Sequence, residues 1–467
     1  MVRSSREPAA GDAPRDAEPS EDVPVKWLAG RLTDPSAVAL AADLGQMIKH
    51  GELRPGVRLP PVRALAGELN VSPATVSNAW QRLRARNLVT GGGRGGIRVR
   101  QDPGTPRPIR YESEGHFEVD AALDLGLSVP DPELLPDLDR FRDVAVPDLH
   151  DYRRTPIVDS LRDAVVDSWP TNPRQLLVTN GGYEGLMLIC NTFIQPGDHV
   201  IVENPAPPRL LDVIERAGAR FAFATRDAEG LVPESVAESL PLRPSMMVLQ
   251  PSVHNPMGTV MTRRRRDALA KLLAPTDVLV VEDDGIGELA RDRVHPLSDR
   301  IPQQTLYLRS YSKSHGPDLR IAVLDGPPDL VERVRAFRAF GSGWTSRFLQ
   351  EILAAMLTDE QTRSRIGAAS DVYNTRRERL AAELRVRGVD LPPAHGLDLW
   401  LPVADERYAV VTCAAHGVAV SSGSRFTPPP QSAHIRISTC RLPTEKAPFV
   451  ADVLIKAMGE KQPVGRG

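Results

Sequence analysis

Between positions 176 and 310 the chain alternates short apolar runs with longer stretches of helical periodicity, and this limits the fold more than any other feature. The runs are Leu176–Thr179, His199–Val202, Arg220–Ala224, Met246–Gln250, Val278–Glu282 and Thr305–Leu308. Short apolar runs separated by helices predict an α/β domain with a mostly parallel sheet covered on both faces. Ligands of such sheets gather at the C-terminal ends of the strands. The residues directly after each run are therefore the first candidates for chemistry.

Four of these ends carry unusual residues. Asn180-Gly181-Gly182-Tyr183 follows the first run as a glycine turn opening a helix, where backbone N–H groups can hold an anion. Asn255 stands beside Pro256 after the fourth run, and Asp283-Asp284 after the fifth, where a carboxylate can pair with a pyridinium. The sixth run delivers Ser310-Tyr311-Ser312-Lys313, with Arg320 seven residues beyond the lysine. A lysine near low-dielectric strand ends can lose its proton and attack a carbonyl to form a Schiff base. Two hydroxyls and a guanidinium around it suit a phosphate dianion. Aldehyde capture beside a phosphate clamp is the chemistry of pyridoxal 5′-phosphate (PLP). Near the C-terminus Arg436 interrupts the apolar run Ile435–Ile437 and wants a carboxylate, either a structural acid or a ligand. Taken singly, each feature has an ordinary counterpart: a solvated lysine, a tight turn without a ligand, a surface acidic pair.

The N-terminal part reads differently. Residues 1–24 carry three Arg against six Asp/Glu and no apolar periodicity, which predicts a disordered tail. Residues 36–100 carry ten Lys/Arg against Asp43, Glu52 and Glu68, a basic block suited to nucleic acid. A helix from Asp34 as cap buries Leu40, Leu44, Met47 and Ile48. A second runs from Val62 to Leu69, and a third, capped by Ser72, buries Val76, Trp80 and Leu83. Two short helices joined by a tight turn make a helix-turn-helix, with Thr75, Ser77 and Asn78 at the early exposed positions of its second helix. Leu88-Val89-Thr90, a glycine-rich tip holding Arg94, and Ile97-Arg98-Val99 predict a two-stranded wing. The expected domains are thus 34–100 for DNA, 101–119 as an extended linker, and 120–460 for the sheet. Three scattered cysteines form neither a metal spacing nor a disulfide framework, and no apolar run could span a bilayer, so a cytoplasmic protein without metal is expected.

The strings Gly-Glu-Leu-Arg-Pro-Gly, Leu-Pro-Pro-Val-Arg-Ala-Leu-Ala and Val-Ser-Pro-Ala-Thr-Val, lying between Gly51 and Val76, closely resemble the winged helix of GntR-type bacterial regulators. That resemblance implies that Arg63, Thr75 and Arg94 meet operator DNA, with Ser72, Ser77 and Asn78 beside them. From about 121 to 460, the order glycine turn, Asn-Pro-x-Gly, Asp, Ser-x-Ser-Lys, Arg and strand arginine resembles fold-type I aminotransferases. The two together resemble the MocR subgroup of transcription regulators. By resemblance Lys313 would form the Schiff base, Asp283 would pair with the pyridine nitrogen and Asn255 would bond the phenolic oxygen. Gly181, Gly182, Tyr183, Ser310, Ser312 and Arg320 would surround the phosphate, Tyr152 would reach the partner subunit's phosphate, and Arg436 would bind a carboxylate.

Two departures stand out. Pro207 occupies the place of the aromatic that stacks on the cofactor ring, and Ile286 that of a tyrosine sharing the phenolic oxygen. A lost stacking ring costs roughly 1 kcal/mol beyond area burial, so weakened cofactor binding and little or no transaminase activity are expected. The resulting expectation is a homodimeric regulator, nucleoid-associated when bound to DNA, that senses PLP or its adduct with an amino acid or amine. An active aminotransferase with a DNA anchor, and a regulator on a PLP-free dimerisation scaffold, are the alternatives.

Overall fold

The computed structural model describes residues 22–85, 88–91, 96–100, 107–112, 122–147, 150–152, 154–290, 295–427 and 433–459. The chain divides into two compact units, 1–106 and 107–467.

In the first unit, α1 (Val25–Ala29), α2 (Ala37–Lys49), α3 (Val62–Glu68) and α4 (Pro73–Ala85) precede the antiparallel wing strands β1 (Val89–Gly91) and β2 (Ile97–Val99). Leu28, Leu40, Leu44, Leu65, Val76, Trp80 and Leu83 share one buried core. Residues 22–24, counted with the tail in the expectation over 1–24, pack with this domain. Asp22 bridges Arg58, Val23 N–H donates to the Arg58 carbonyl, and Val23 and Leu28 fill the core. The cap of α2 is Ser36, not Asp34: Ser36 Oγ accepts from Ala39 N–H, while Asp34 accepts from Ser36 N–H at 2.8 Å in the turn before. Between α3 and α4, Asn70 takes the left-handed conformation (φ 53°) that a short amide side chain tolerates, and Ser72 Oγ then caps α4 through Thr75 N–H at 3.1 Å.

The second unit opens with α5 (Ile109–Glu112), inside the segment expected to be linker. Arg110 there donates to Asp212 at 2.9 Å and to Glu215 at 2.6 Å. The main sheet comprises β4 (Gln175–Thr179), β5 (His199–Asn204), β6 (Arg220–Asp227), β7 (Gly230–Leu231), β8 (Met246–Leu249), β9 (Leu279–Asp284), β10 (Thr305–Ser310) and β11 (Ala322–Gly326), with β3 (Leu123–Asp124) outside it. Their spatial order is β4-β11-β10-β9-β8-β5-β6-β7. The five strands from β10 to β6 are parallel; β11 runs antiparallel between β10 and β4, as does β7 beside β6.

Alternate residues of one strand serve opposite layers. Val200 and Val202 meet α7 (Gly182–Phe193) and α8 (Pro208–Arg216), while Ile201 shares a cluster with α9 (Pro233–Ser239) and α10 (Arg263–Leu273). The mostly parallel, two-sided sheet is the one expected. Strand β11 was not read from the sequence, because its run abuts the Arg320 turn without an intervening helix.

A smaller sheet, β12 (Asp398–Pro402), β15 (His434–Ser438) and β14 (Ser421–Ser422), follows the 27-residue helix Glu360–Val386, while β13 (Val418–Ala419) pairs with β3. Among the described residues no helix is long and apolar enough to cross a membrane, and no His/Cys/Asp/Glu group could hold a metal.

Candidate functional site

The C-terminal ends of β8, β9 and β10 and the start of α7 border one cavity of about 540 Å³. At its α7 end, Gly181 adopts φ 90°, which glycine tolerates, and Arg320 lies directly over it: a Cβ on Gly181 would stand 2.7 Å from the Arg320 guanidinium. Arg320 is itself left-handed (φ 51°) and donates Nη2 to the Asn180 carbonyl at 3.3 Å. Ser310 lies against Gly182, and Ser312 N–H donates to Ser310 Oγ at 3.4 Å. A helix N-terminus, a guanidinium and two hydroxyls thus converge as an anion cradle.

Beyond it, Lys313 Nζ donates to the Ser128 carbonyl at 3.2 Å. Asp283 faces the same cavity and accepts from Gln250 Nε2 at 2.9 Å, while Gln250 Oε1 holds Asn255 N–H at 2.9 Å. Asn255 Oδ1 is buried without a hydrogen-bond partner among the described residues.

Strand alternation separates the two adjacent acids. Asp284 points to the other side of the sheet, accepting from Tyr307, Arg309, Ser252 and Gly287, and these partners hold its carboxyl below the usual range against the cost of burial. Burial instead pushes Asp283 up to about 6; neighbouring Asp284 adds to this, and the Gln250 hydrogen bond and Lys313 oppose it. A carboxylate that prefers its proton in the folded state loses stability as pH rises from its unfolded value, near 4, through about 6. Asp283→Asn removes that loss. Without cofactor, the variant is expected to melt higher relative to wild type at pH 7.5 than at pH 4.5, and equal differences at both values would contradict this.

Two further positions sit on the small sheet. Arg436, 1% exposed, lines the cavity, donates Nη2 to the Gly126 carbonyl and lies 5.0 Å over the Phe426 ring. Asp398 also lines it and accepts from Ser128 Oγ at 2.9 Å.

Of the expected cofactor residues, Gly182, Tyr183, Asn255, Asp283, Ser310, Ser312, Lys313, Arg320 and Arg436 line this one cavity. Gly181 sits directly behind Arg320. Tyr152 does not line it: 88% exposed, it meets only the Trp344 ring among the aromatic contacts described, edge-on at 6.1 Å. Pro207 is buried as the cap of α8 and contributes nothing to the wall, whereas Ile286 is part of it. Arg209, with its guanidinium 4.3 Å over the Tyr183 ring, lines the wall two residues beyond Pro207.

Sequence reasoning missed Ser128, Arg209, Gln250 and Asp398. Gln250 ends an apolar run and Asp398 interrupts one, the signals that singled out Asp283 and Arg436; Ser128 and Arg209 carry no such signal. In the first unit Arg63 and Asn78 are exposed and Thr75 and Ser77 half-exposed, while the Ser72 hydroxyl is shared between the Thr75 N–H and Oγ1. Arg94 lies outside the described residues.

A winged helix-turn-helix followed by a fold-type I aminotransferase domain defines a bacterial transcription regulator. Residues 37–99 match the gntR family of bacterial regulatory proteins, and residues 125–454 match aminotransferase class I and II. The chain is 31% identical to the vitamin B6 salvage pathway transcriptional repressor PtsJ of Salmonella typhimurium, over 85% of this chain and 93% of that protein. It is 26% identical to the pyridoxine biosynthesis transcriptional regulator PdxR of Corynebacterium glutamicum, over 83% and 88% respectively. Among solved structures, the kynurenine aminotransferase of Pyrococcus horikoshii superposes with a TM-score of 0.68 at 21% identity, covering 75% of this chain and 94% of that one. The chain belongs to the GntR family, in its MocR-type branch with an aminotransferase-like domain.

Proposed function

We propose that the large domain binds PLP and that the bound cofactor alters how the winged helices of a homodimer hold operator DNA in the bacterial cytoplasm. The observation that carries this reading is the convergence, in one cavity, of the anion cradle, Lys313 and the buried Asp283. Gly182, Ser310, Ser312 and Arg320 would hold the phosphate, Asp283 the pyridine nitrogen and Asn255 the phenolic oxygen. When bound, the cofactor supplies an aldehyde that captures amines. Lys313 is the only lysine among the lining residues and would anchor that aldehyde. The names of PtsJ and PdxR support genes of vitamin B6 supply as targets.

Effector control requires different affinities in the two arrangements of the protein. A duplex from the promoter of the protein's own gene, followed by fluorescence anisotropy with and without PLP, tests this directly. Operator affinity is expected to change with saturable PLP, and an isotherm that ignores PLP would remove the sensor reading. With the same duplex, Arg63→Ala is expected to weaken binding across sequences and to lower the salt slope by about one; an unchanged slope would take Arg63 off the phosphates.

An active aminotransferase is the second reading, favoured by Lys313, Asp283 and Arg436 lining one cavity. Pro207 and Ile286 stand against it, since neither supplies a ring or hydroxyl to the cofactor. Turnover of amino donors with a 2-oxo acid acceptor would establish it.

A further inference from the structure

The small sheet has two unlike faces. Leu399, Leu401, Ile435 and Ile437 point into an apolar core. The opposite face, by alternation, carries Asp398, Trp400, Arg436 and Ser438, with Trp400 paired to Arg436 and Asp398 to Ser438. Asp398 and Arg436 are therefore diagonal neighbours on one face, close enough for long side chains to interact, and both line the cavity.

Both present charge to the cavity. Arg436 donates Nη2 to the Gly126 carbonyl and lies over the Phe426 ring. Asp398 is 6% exposed; Oδ2 accepts from Ser128 Oγ, but Oδ1 is buried with no hydrogen-bond partner among the described residues. A buried carboxylate oxygen without a donor is costly, and a donor arriving in the cavity removes that cost. Ser128 also ties Asp398 to the reactive end of the site, because its carbonyl accepts from Lys313 Nζ. An amine held at Lys313 would thus have Asp398 beyond it, one serine away. A ligand carrying only a carboxylate beyond that amine could meet Arg436, but it would leave Asp398 Oδ1 without a donor and bring a second negative charge beside it.

Resting on the PLP reading above, we propose that Asp398 is a specificity residue selecting an effector with two basic nitrogens, one near Lys313 and a second, cationic one on Asp398 Oδ1. Monoamino monocarboxylic acids are the disfavoured class. Arg436 alone, as the resemblance would have it, points to the reverse preference.

Isothermal titration of the full-length protein at saturating PLP, with 1,5-diaminopentane and with L-norvaline as probes, decides between them. The wild type is expected to bind the diamine at least about tenfold more tightly than norvaline, as a charge-assisted hydrogen bond implies. Asp398→Asn is expected to lose about that factor for the diamine and to gain for norvaline, and Asp398→Glu to restore part of the diamine affinity. Tighter binding of norvaline by the wild type, or equal diamine affinity in wild type and Asp398→Asn, overturns the proposal. If Asp398→Asn does not melt cooperatively, Ser128→Ala, which frees Oδ2 of its orienting donor, is expected to weaken the diamine more than norvaline; equal losses overturn the proposal. The PLP absorbance of the same samples keeps the two readings apart. Should the wild type show no PLP band, the cofactor reading fails, and the titrations repeated without PLP still decide whether Asp398 takes a cation.

Discussion

Lys313→Ala protein titrated with PLP is expected to show no saturable visible absorbance band, whereas the wild type develops one. The band requires a primary amine within reach of the cofactor's aldehyde, and no other lining residue of the cavity is a lysine. The cradle formed by Arg320, Ser310, Ser312 and the start of α7 is untouched by the substitution. The variant should therefore still take up PLP noncovalently, with affinity lower by roughly tenfold or more, which competition with inorganic phosphate would expose. Lys313→Arg keeps the positive charge but cannot capture an aldehyde, so it should also lack the band. A band persisting in both variants would place the reactive amine elsewhere. A band absent from the wild type would leave a DNA-binding protein on an aminotransferase scaffold.

The largest loss of stability is expected from Arg226→Met. Arg226 is fully buried and paired with Glu203, which is 2% exposed; its Nε also donates to Thr259 Oγ1 at 2.8 Å. Burial raises the Glu203 carboxyl and lowers the Arg226 guanidinium from their ordinary values, and each partner opposes the shift of the other. Removing the arginine strands a carboxylate in the interior, which costs about 3–5 kcal/mol. Glu203 also accepts from Gln250 N–H at 2.8 Å, and Gln250 in turn holds Asp283 and Asn255. The loss should therefore reach the cofactor site as weaker PLP uptake as well as a lower melting temperature at pH 7. Adding Glu203→Gln to Arg226→Met should recover part of the stability, because a neutral amide costs less to bury. If the double variant melts no higher than Arg226→Met, the buried charge is not the cause.

Most of the site could be read from the chain because its members stand at strand ends or beside turns, where local pattern is informative. Lys313, Asp283, Asn255 and the Gly181-Gly182 turn each follow an apolar run, and all but Gly181 line the cavity. The first helix escaped notice because Val25–Ala29 is too short to show a period; its place is given by Val23 and Leu28 entering a core built from residues beyond 40. Arg110 looked like part of an extended linker, but its partners Asp212 and Glu215 lie about a hundred positions away. Tyr152, given a cofactor role by resemblance alone, stands 88% exposed and outside the cavity lining.

Alternation, capping and turn chemistry depend on neighbours within a few residues, so the sequence by itself determined six strands of the main sheet, the order of the two domains and the reactive groups at the strand ends. Only the tertiary structure decided that Asp283 faces the cavity while Asp284 is consumed by Arg309 and Tyr307, and that Asp398 shares a face with Arg436. Those assignments depend on which layer covers each side of a sheet and on pairings between positions far apart in the chain. Packing selects them, and local periodicity is blind to packing.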